Sequence, residues 1–299
     1  MPRPSRFHIM ELFKEEIIDA LNELNRPILT DVDISTAFFL YKDSWKLPQS
    51  TKAHDFFSFI IKKNILKEVG IQSPKGTISR YLLSSSGLDP NNLDPNLIAI
   101  SLLPQSYISH YSAVSMHGLT DEIVKVVYVN KEQTKKTSVS QRESQLSQEN
   151  IDNAFASPMR ETNNYYEYAG RRIYAINGRY TGRLGVDTDS NGLAVTNLER
   201  TLIDIAVRPN YSGGVFEVMK IYEKAKGLLK SNRLNAYLKK LNYIYPYHQA
   251  IGFYLERAGY SESAVKLMEL PMNNKFYLTY GMKEMQYSER WKLYYPKNI

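Results

Sequence analysis

Four carboxylates in the second half of the chain, Asp187, Asp189, Glu199 and Asp204, are of the type that holds Mg²⁺ in a metal-dependent nuclease. Such a site needs an acid at a strand end, then an acid and a lysine two residues apart on the next strand. No such pair stands here, because Glu199 is followed by Arg200 and Thr201 in a helical pattern. Asp187-Thr188-Asp189-Ser190-Asn191-Gly192 has the spacing of half a calcium loop. The bidentate glutamate six residues after the glycine would fall on Leu198, so a turn is expected instead. His110 and His117 are seven apart, two helical turns, and cannot share a metal as an i, i+4 pair does. Each is expected as a structural histidine at a helix end.

Gly213-Gly214 lacks the Gly-Lys-Ser/Thr of a phosphate loop, and no Gly-x-Ser-x-Gly elbow occurs. The absence of cysteine excludes disulfides, thiolate zinc sites and cysteine nucleophiles. The chain is therefore expected not to be an enzyme, with no catalytic residue, no metal and no cofactor.

The basic residues point elsewhere. A formal net charge of +7 favours an anionic partner. Between Lys42 and Arg80, eight Lys or Arg residues stand against Asp43, Asp55 and Glu68, a local excess of five. Lysines near phosphates release counterions and supply affinity that does not depend on base sequence. The candidate DNA-binding residues are Lys52, His54, Ser58, Lys62 and Lys63, followed by Lys67, Lys75 and Arg80. Base readout would fall to Lys52, His54, Ser58 or their polar neighbours. Arg171, Arg172, Arg179 and Arg183 suggest a second basic surface, suited to more DNA or to an acidic or RNA-binding partner.

The elements around the first cluster have a recognisable order. Leu12, Phe13, Ile17, Ala20, Leu21 and Leu24 predict an amphipathic helix over residues 9–24. Thr30 with Asp33 forms a capping pattern for a second helix through Ile34, Ala37, Phe38 and Tyr41. Ser50 or Thr51 would cap a third over about 52–63. Leu66–Ile71 and Thr77–Leu83 flank a Pro/Gly turn and predict a hairpin. Three helices and a hairpin are the order of a winged helix-turn-helix, whose third helix fits the major groove while the second braces it. The hairpin, or wing, then reaches adjacent phosphates.

Residues 84–95 are polar and turn-rich and are read as a boundary, with a winged helix over 1–87 and a mixed α/β domain over 95–299. The fold class expected is α+β. In the second part, helices are expected over 95–103, 109–117, 197–207, 213–229, 231–241 and 246–258. Strands are expected over 125–130 and 192–196, in a hairpin about Ala169-Gly170, and over 276–280 and 291–294. Residues 131–150 are polar and read as a loop or exposed segment. Asn197 would cap its helix, and Arg200 and Asp204 at i, i+4 would pair.

An apolar fraction of 43 % suffices to build cores. No apolar run reaches the ~20 residues that span a bilayer. Met-Pro-Arg-Pro-Ser-Arg has no apolar stretch after it, so no secretory signal and a cytoplasmic location are expected.

Two blocks carry a family resemblance. Residues 104–120, Pro-Gln-Ser-Tyr-Ile-Ser-His-Tyr-Ser-Ala-Val-Ser-Met-His-Gly-Leu-Thr, with the strand Val126–Val129, resemble the start of the second domain of AbiEi-type antitoxins. Residues 192–204, Gly-Leu-Ala-Val-Thr-Asn-Leu-Glu-Arg-Thr-Leu-Ile-Asp, with Gly213-Gly214, are similar to a second block of that family. With the winged helix, the resemblance covers roughly residues 10–230. It implies a transcriptional autorepressor that binds its promoter, and an antitoxin that opposes a nucleotidyltransferase-like toxin of a phage-defence system. The alternatives are a metal-dependent defence nuclease, or a winged helix used for protein contact.

Overall fold

The structure, a computed structural model, describes residues 4–135 and 146–299. The middle of the polar segment expected over 131–150 thus lies outside the described residues.

In chain order the helices are α1 (Arg6–Leu12), α2 (Lys14–Asn22), α3 (Asp31–Tyr41), α4 (Ala53–Lys62), α5 (Pro95–Leu102), α6 (His110–Met116), α7 (Gln148–Ala156), α8 (Leu198–Val207), α9 (Val215–Lys224), α10 (Ser231–Leu241), α11 (Tyr247–Arg257) and α12 (Glu262–Lys266). The strands are β1 (Leu66–Ser73), β2 (Gly76–Leu83), β3 (Tyr107–Ile108), β4 (Val126–Glu132), β5 (Tyr165–Tyr168), β6 (Arg171–Gly178), β7 (Val186–Thr188), β8 (Ala194–Thr196), β9 (Phe276–Tyr277), β10 (Met285–Ser288) and β11 (Leu293–Pro296). The class is α+β: N-terminal helices and a hairpin in winged helix-turn-helix order, then a mixed sheet with helices.

The chain divides into two units, Met1–Pro104 with Tyr165–Ile173, and Gln105–Asn164 with Tyr174–Ile299. The first unit is larger than the winged helix expected over 1–87. It takes in α5 and β5, so the turn-rich stretch at 84–95 is a connection inside the unit and not its boundary.

In the first unit, the helix expected over 9–24 is two segments meeting at Phe13, whose ψ is 23°. The ladder persists through the bend: Phe13 N–H donates to Ile9 (3.1 Å) and its carbonyl accepts from Ile17 (3.0 Å). Met10 and Ile17, on either side, are both fully buried. The capping box before α3 forms as the spacing predicts: Thr30 Oγ1 accepts from Asp33 N–H (3.2 Å), and the Asp33 carboxylate accepts from Thr30 N–H (2.9 Å). In the core Phe56 stacks on Trp45 and lies tilted against Phe38, each at 5.3 Å between ring centres. Leu29 adds one bridge to Tyr81, donating at 2.8 Å and accepting at 3.0 Å, which ties the helices to the hairpin. β1 also pairs with β5 at Gln72 and Glu167, making the order β2-β1-β5.

In the second unit, which holds β6 from Tyr174 onward, the strand order is β6-β4-β3-β8-β7, with β3 antiparallel to β4 and parallel to β8. Helix α8 is buried from Glu199 through Ala206. Its Leu202, Ile203 and Ile205 pack with Val218 and Tyr222 of α9 and Ile251 and Tyr254 of α11. Each such aliphatic side chain stabilises by about 1.5–3 kcal/mol when fully buried. A second sheet, β10-β11-β9, closes the unit against α11. There Gly252 is required by close approach, because a Cβ at that position would lie 2.2 Å from the buried Trp291 ring.

Candidate nucleic-acid interface

Helix α4 buries Phe56, Phe59 and Ile60 and turns His54, Ser58, Ile61 and Lys62 to solvent. Those four, at i, i+4, i+7 and i+8, form one stripe of a 3.6-residue helix. The helix start is held from below. Asp55 accepts from Lys52 N–H (3.0 Å) and from the Arg6 guanidinium of α1. These hydrogen bonds, the backbone one first, hold the Asp55 carboxyl below its ordinary pKa. The N-cap is Lys52 itself, one residue after Thr51 and two after Ser50, the caps that the sequence suggested. The carboxylate at the third helical position reaches back to the N-cap N–H, and no side chain at the N-cap accepts from the first turn.

The wing is a two-residue loop, Pro74-Lys75, between paired Ser73 and Gly76. Ser73 Oγ accepts from Lys75 N–H (3.2 Å) and donates to the Gly76 carbonyl (2.7 Å). Gly76 has a φ of 120°, which a side chain would resist. Lys75 is therefore displayed at the tip, exposed.

The expected DNA-binding residues do not share one fate. Lys52, His54, Ser58, Lys62 and Lys75 are exposed, and Lys67 is half-buried. Lys52, Lys62, Lys67 and Lys75 enter no ion pair among the described residues. Lys63 is exposed but pairs with Glu11 of α1 at 2.7 Å. Arg80 must be corrected: it is 8 % exposed and lies under α5, where it cannot touch a phosphate. Its Nε donates to the Ser101 carbonyl (3.0 Å), and the two terminal nitrogens donate to Ser79 (2.7 Å) and Leu102 (3.4 Å). Ser101 and Leu102 end α5, so Arg80 satisfies carbonyls that have no partner within the helix. Burial pushes its pKa below the ordinary guanidinium value.

In the second unit, the carboxylates that raised the question of metal chemistry are each engaged separately. Asp187 accepts from Asn197 Nδ2 (3.1 Å), and Asp189 accepts from the N–H groups of Asn191 (2.9 Å) and Leu193 (2.8 Å), the turn that was expected. Glu199, fully buried, accepts from Lys230 N–H (3.0 Å) and pairs with Arg233. Arg200 and Asp204 pair at 2.8 Å as their spacing predicts, and with 4 % and 8 % side-chain exposure the pair is buried. Arg200 also donates to the Leu184 carbonyl (2.7 Å), Thr181 Oγ1 (3.2 Å) and Tyr107 Oη (3.4 Å), which fastens α8 to the β6–β7 loop and to β3. Asn197 caps α8, accepting from Arg200 N–H at 3.2 Å as its position predicts.

The two histidines stay apart. His117 Nε2 lies 2.7 Å from the Thr196 carbonyl oxygen, so this nitrogen carries the proton. Ser109 sits at the N-cap position of α6, but its hydroxyl bonds His110 Nδ1 (2.9 Å) and not the helix backbone. His110 is buried, and burial lowers its pKa to about 4.

The chain is similar in fold to the RV2827C protein from Mycobacterium tuberculosis. The likeness to that crystal structure covers 95 % of this chain and 91 % of the other, at a TM-score of 0.54 and 12 % identity. No family model and no curated protein matches the sequence. The likeness concerns fold alone, and the chemistry rests on the residues of this chain.

Those residues also alter the second basic surface. Arg171 and Arg172 open β6 in the first unit, whereas Arg179 and Arg183 belong to the second. Arg172 pairs with Glu167 (3.1 Å) and lies 4.6 Å over the Tyr165 ring. Arg179 lies 5.0 Å over Tyr243, and Arg183 lies 5.4 Å over Tyr107 while donating to the Gln105 carbonyl. Among the described residues, no helix is long and apolar enough to cross a membrane.

Proposed function

We propose that the first unit binds double-stranded DNA through α4 and the β1–β2 wing. The observation that carries this reading is the exposed stripe of His54, Ser58 and Lys62 on α4, with Lys52 at its start and Lys75 on the wing tip. A helix with one apolar face in a core and one donor-bearing face in solvent has what the major groove requires. Lys63 supports it as well. An exposed pair such as Lys63–Glu11 contributes about 0.2–1 kcal/mol and yields readily to a phosphate.

Together with the resemblance in residues 104–129 and 192–214, this supports a transcriptional autorepressor and antitoxin of a phage-defence toxin–antitoxin system, without catalytic activity of its own. The partners are promoter DNA and a nucleotidyltransferase-like toxin. The test has two arms. Gel-shift titration with the DNA upstream of its own reading frame should give a retarded complex that competitor DNA does not remove. If a nucleotidyltransferase is encoded beside it, co-expression with that protein should restore growth that the toxin alone arrests. Cleavage of plasmid in Mg²⁺ or Mn²⁺ would instead favour a nuclease.

A second reading has one observation in its favour. Val32, Phe39 and Leu40 of α3 form an exposed apolar stripe, each about 70 % exposed. A winged helix that holds another protein would use such a face, and absence of DNA binding at low salt would favour it.

A further inference from the structure

We propose that the second unit binds a nucleoside polyphosphate in the cavity beside the C-terminal end of α8. This site is separate from the DNA interface and does not rest on it. The cavity measures about 710 Å³, the size range of small-molecule sites, and every residue that lines it belongs to the second unit.

Its charge is the first argument. Arg160, Arg179 and Arg208 line it from three separate segments: the loop after α7, the residue after β6 and the residue after α8. None of the three enters an ion pair among the described residues. The single carboxylate among the described lining residues is Asp204, and Arg200 already holds it at 2.8 Å. His110, also on the wall, is neutral at pH 7 because burial lowers its pKa to about 4. Three exposed guanidinium groups lining one half-open cavity set up a positive potential that favours an anion between them. Guanidinium forks match phosphate oxygens in geometry as well as in charge.

The aromatic wall is the second argument. Tyr243, Tyr245 and Tyr280 line the cavity and are half-buried. Arg179 already lies 5.0 Å over the Tyr243 ring, which holds its guanidinium in place. Phosphate alone needs no rings, whereas a base stacks on them and gains about 1–3 kcal/mol from each good stack. Gln133, whose Nε2 donates to the Asn177 carbonyl (3.3 Å), and Asn177 also line the cavity and carry amides of the kind that pair with a base edge.

The third argument is the backbone. His110, on the cavity wall and only 6 % exposed, has a φ of 51°, in the left-handed region. Strain of this kind is retained where surrounding structure over-determines a position, and such positions gather at ligand sites.

Isothermal titration of the full chain at low salt tests the proposal. The probes are the four ribonucleoside triphosphates, inorganic pyrophosphate and a free nucleoside. At least one triphosphate should bind about tenfold or more tightly than either pyrophosphate or the nucleoside. Arg208→Ala and Arg160→Ala should each weaken it by about tenfold. Both side chains are exposed, so thermal melts of these variants should match the parent. Lys239→Ala, which removes the same charge from exposed α10, should leave affinity unchanged. Three outcomes would overturn the proposal: no binding by any triphosphate, pyrophosphate binding as tightly as the nucleotides, or unchanged affinity in both arginine variants. A single-stranded RNA that displaces the nucleotide far below the nucleotide's own dissociation constant would also overturn it, in favour of a polynucleotide.

Discussion

Arg80 of the wing and Ser101 at the end of α5 are joined by a hydrogen bond of 3.0 Å from Nε to the carbonyl oxygen. The bond makes a charged strand residue part of the fold and removes it from the DNA-facing surface. Arg80→Ala should therefore leave two helix-terminal carbonyls buried without a donor and cost about 1–3 kcal/mol of stability. Urea denaturation of the full chain measures this. DNA affinity at temperatures well below the melt should be unchanged, and a change there without loss of stability would contradict the assignment.

Lys62 has the opposite character. It is exposed on α4 and pairs with no carboxylate among the described residues. Lys62→Ala should weaken binding to specific and unrelated DNA alike. The slope of log affinity against log salt should shrink by about one. Gel-shift titrations at four or five salt concentrations give that slope, and stability should hold within about 0.5 kcal/mol.

The buried pair of Arg200 and Asp204 predicts an asymmetric mutational response. Asp204→Ala strands a buried guanidinium and should cost about 3–5 kcal/mol. Arg200→Met with Asp204→Leu removes both charges and should recover a good part of that loss. Chemical denaturation of the two variants side by side decides the matter, and equal losses would mean that the pair itself is not the source.

His110 predicts the acid limb of stability. Its folded pKa is lowered from 6.5 to about 4 by burial, ahead of the charges of Asp204, Arg208 and Arg200. The rings of Tyr128 and Tyr211 and the Ser109 hydroxyl also face it. The unfolded chain takes up this proton first. Its contribution is therefore complete above about pH 6.5 and falls away as pH drops towards 4, at up to about 1.4 kcal/mol per unit. His110→Gln should flatten that limb. Urea midpoints at pH 7 and pH 4.5 for both proteins make the comparison, and parallel losses would assign the acid sensitivity elsewhere.

What the sequence determined by itself was local. Thr30 with Asp33 and Asn197 with the Arg200 N–H are contacts over three residues, so their spacing is visible before folding. The hairpin about Pro74-Lys75 and the turn at Asp189 are equally short-range. These contacts, with the periodicity of the helices, carry the winged order and the α+β class.

The tertiary structure decided what depends on residues far apart in the chain. Arg80 is a wing cation by sequence and a helix cap by virtue of Ser101 and Leu102, more than twenty residues on. β5 joins the first unit because Glu167 pairs with Gln72, across a stretch that the sequence assigns wholly to the second domain. The same holds for the cavity arginines, which look like scattered surface charges until three segments bring Arg160, Arg179 and Arg208 to one cavity. A side chain's burial, and hence whether its charge meets solvent, a carbonyl or a ligand, is set by which segments pack over it. That choice is made by the summed apolar burial of the whole chain, and no local window contains it.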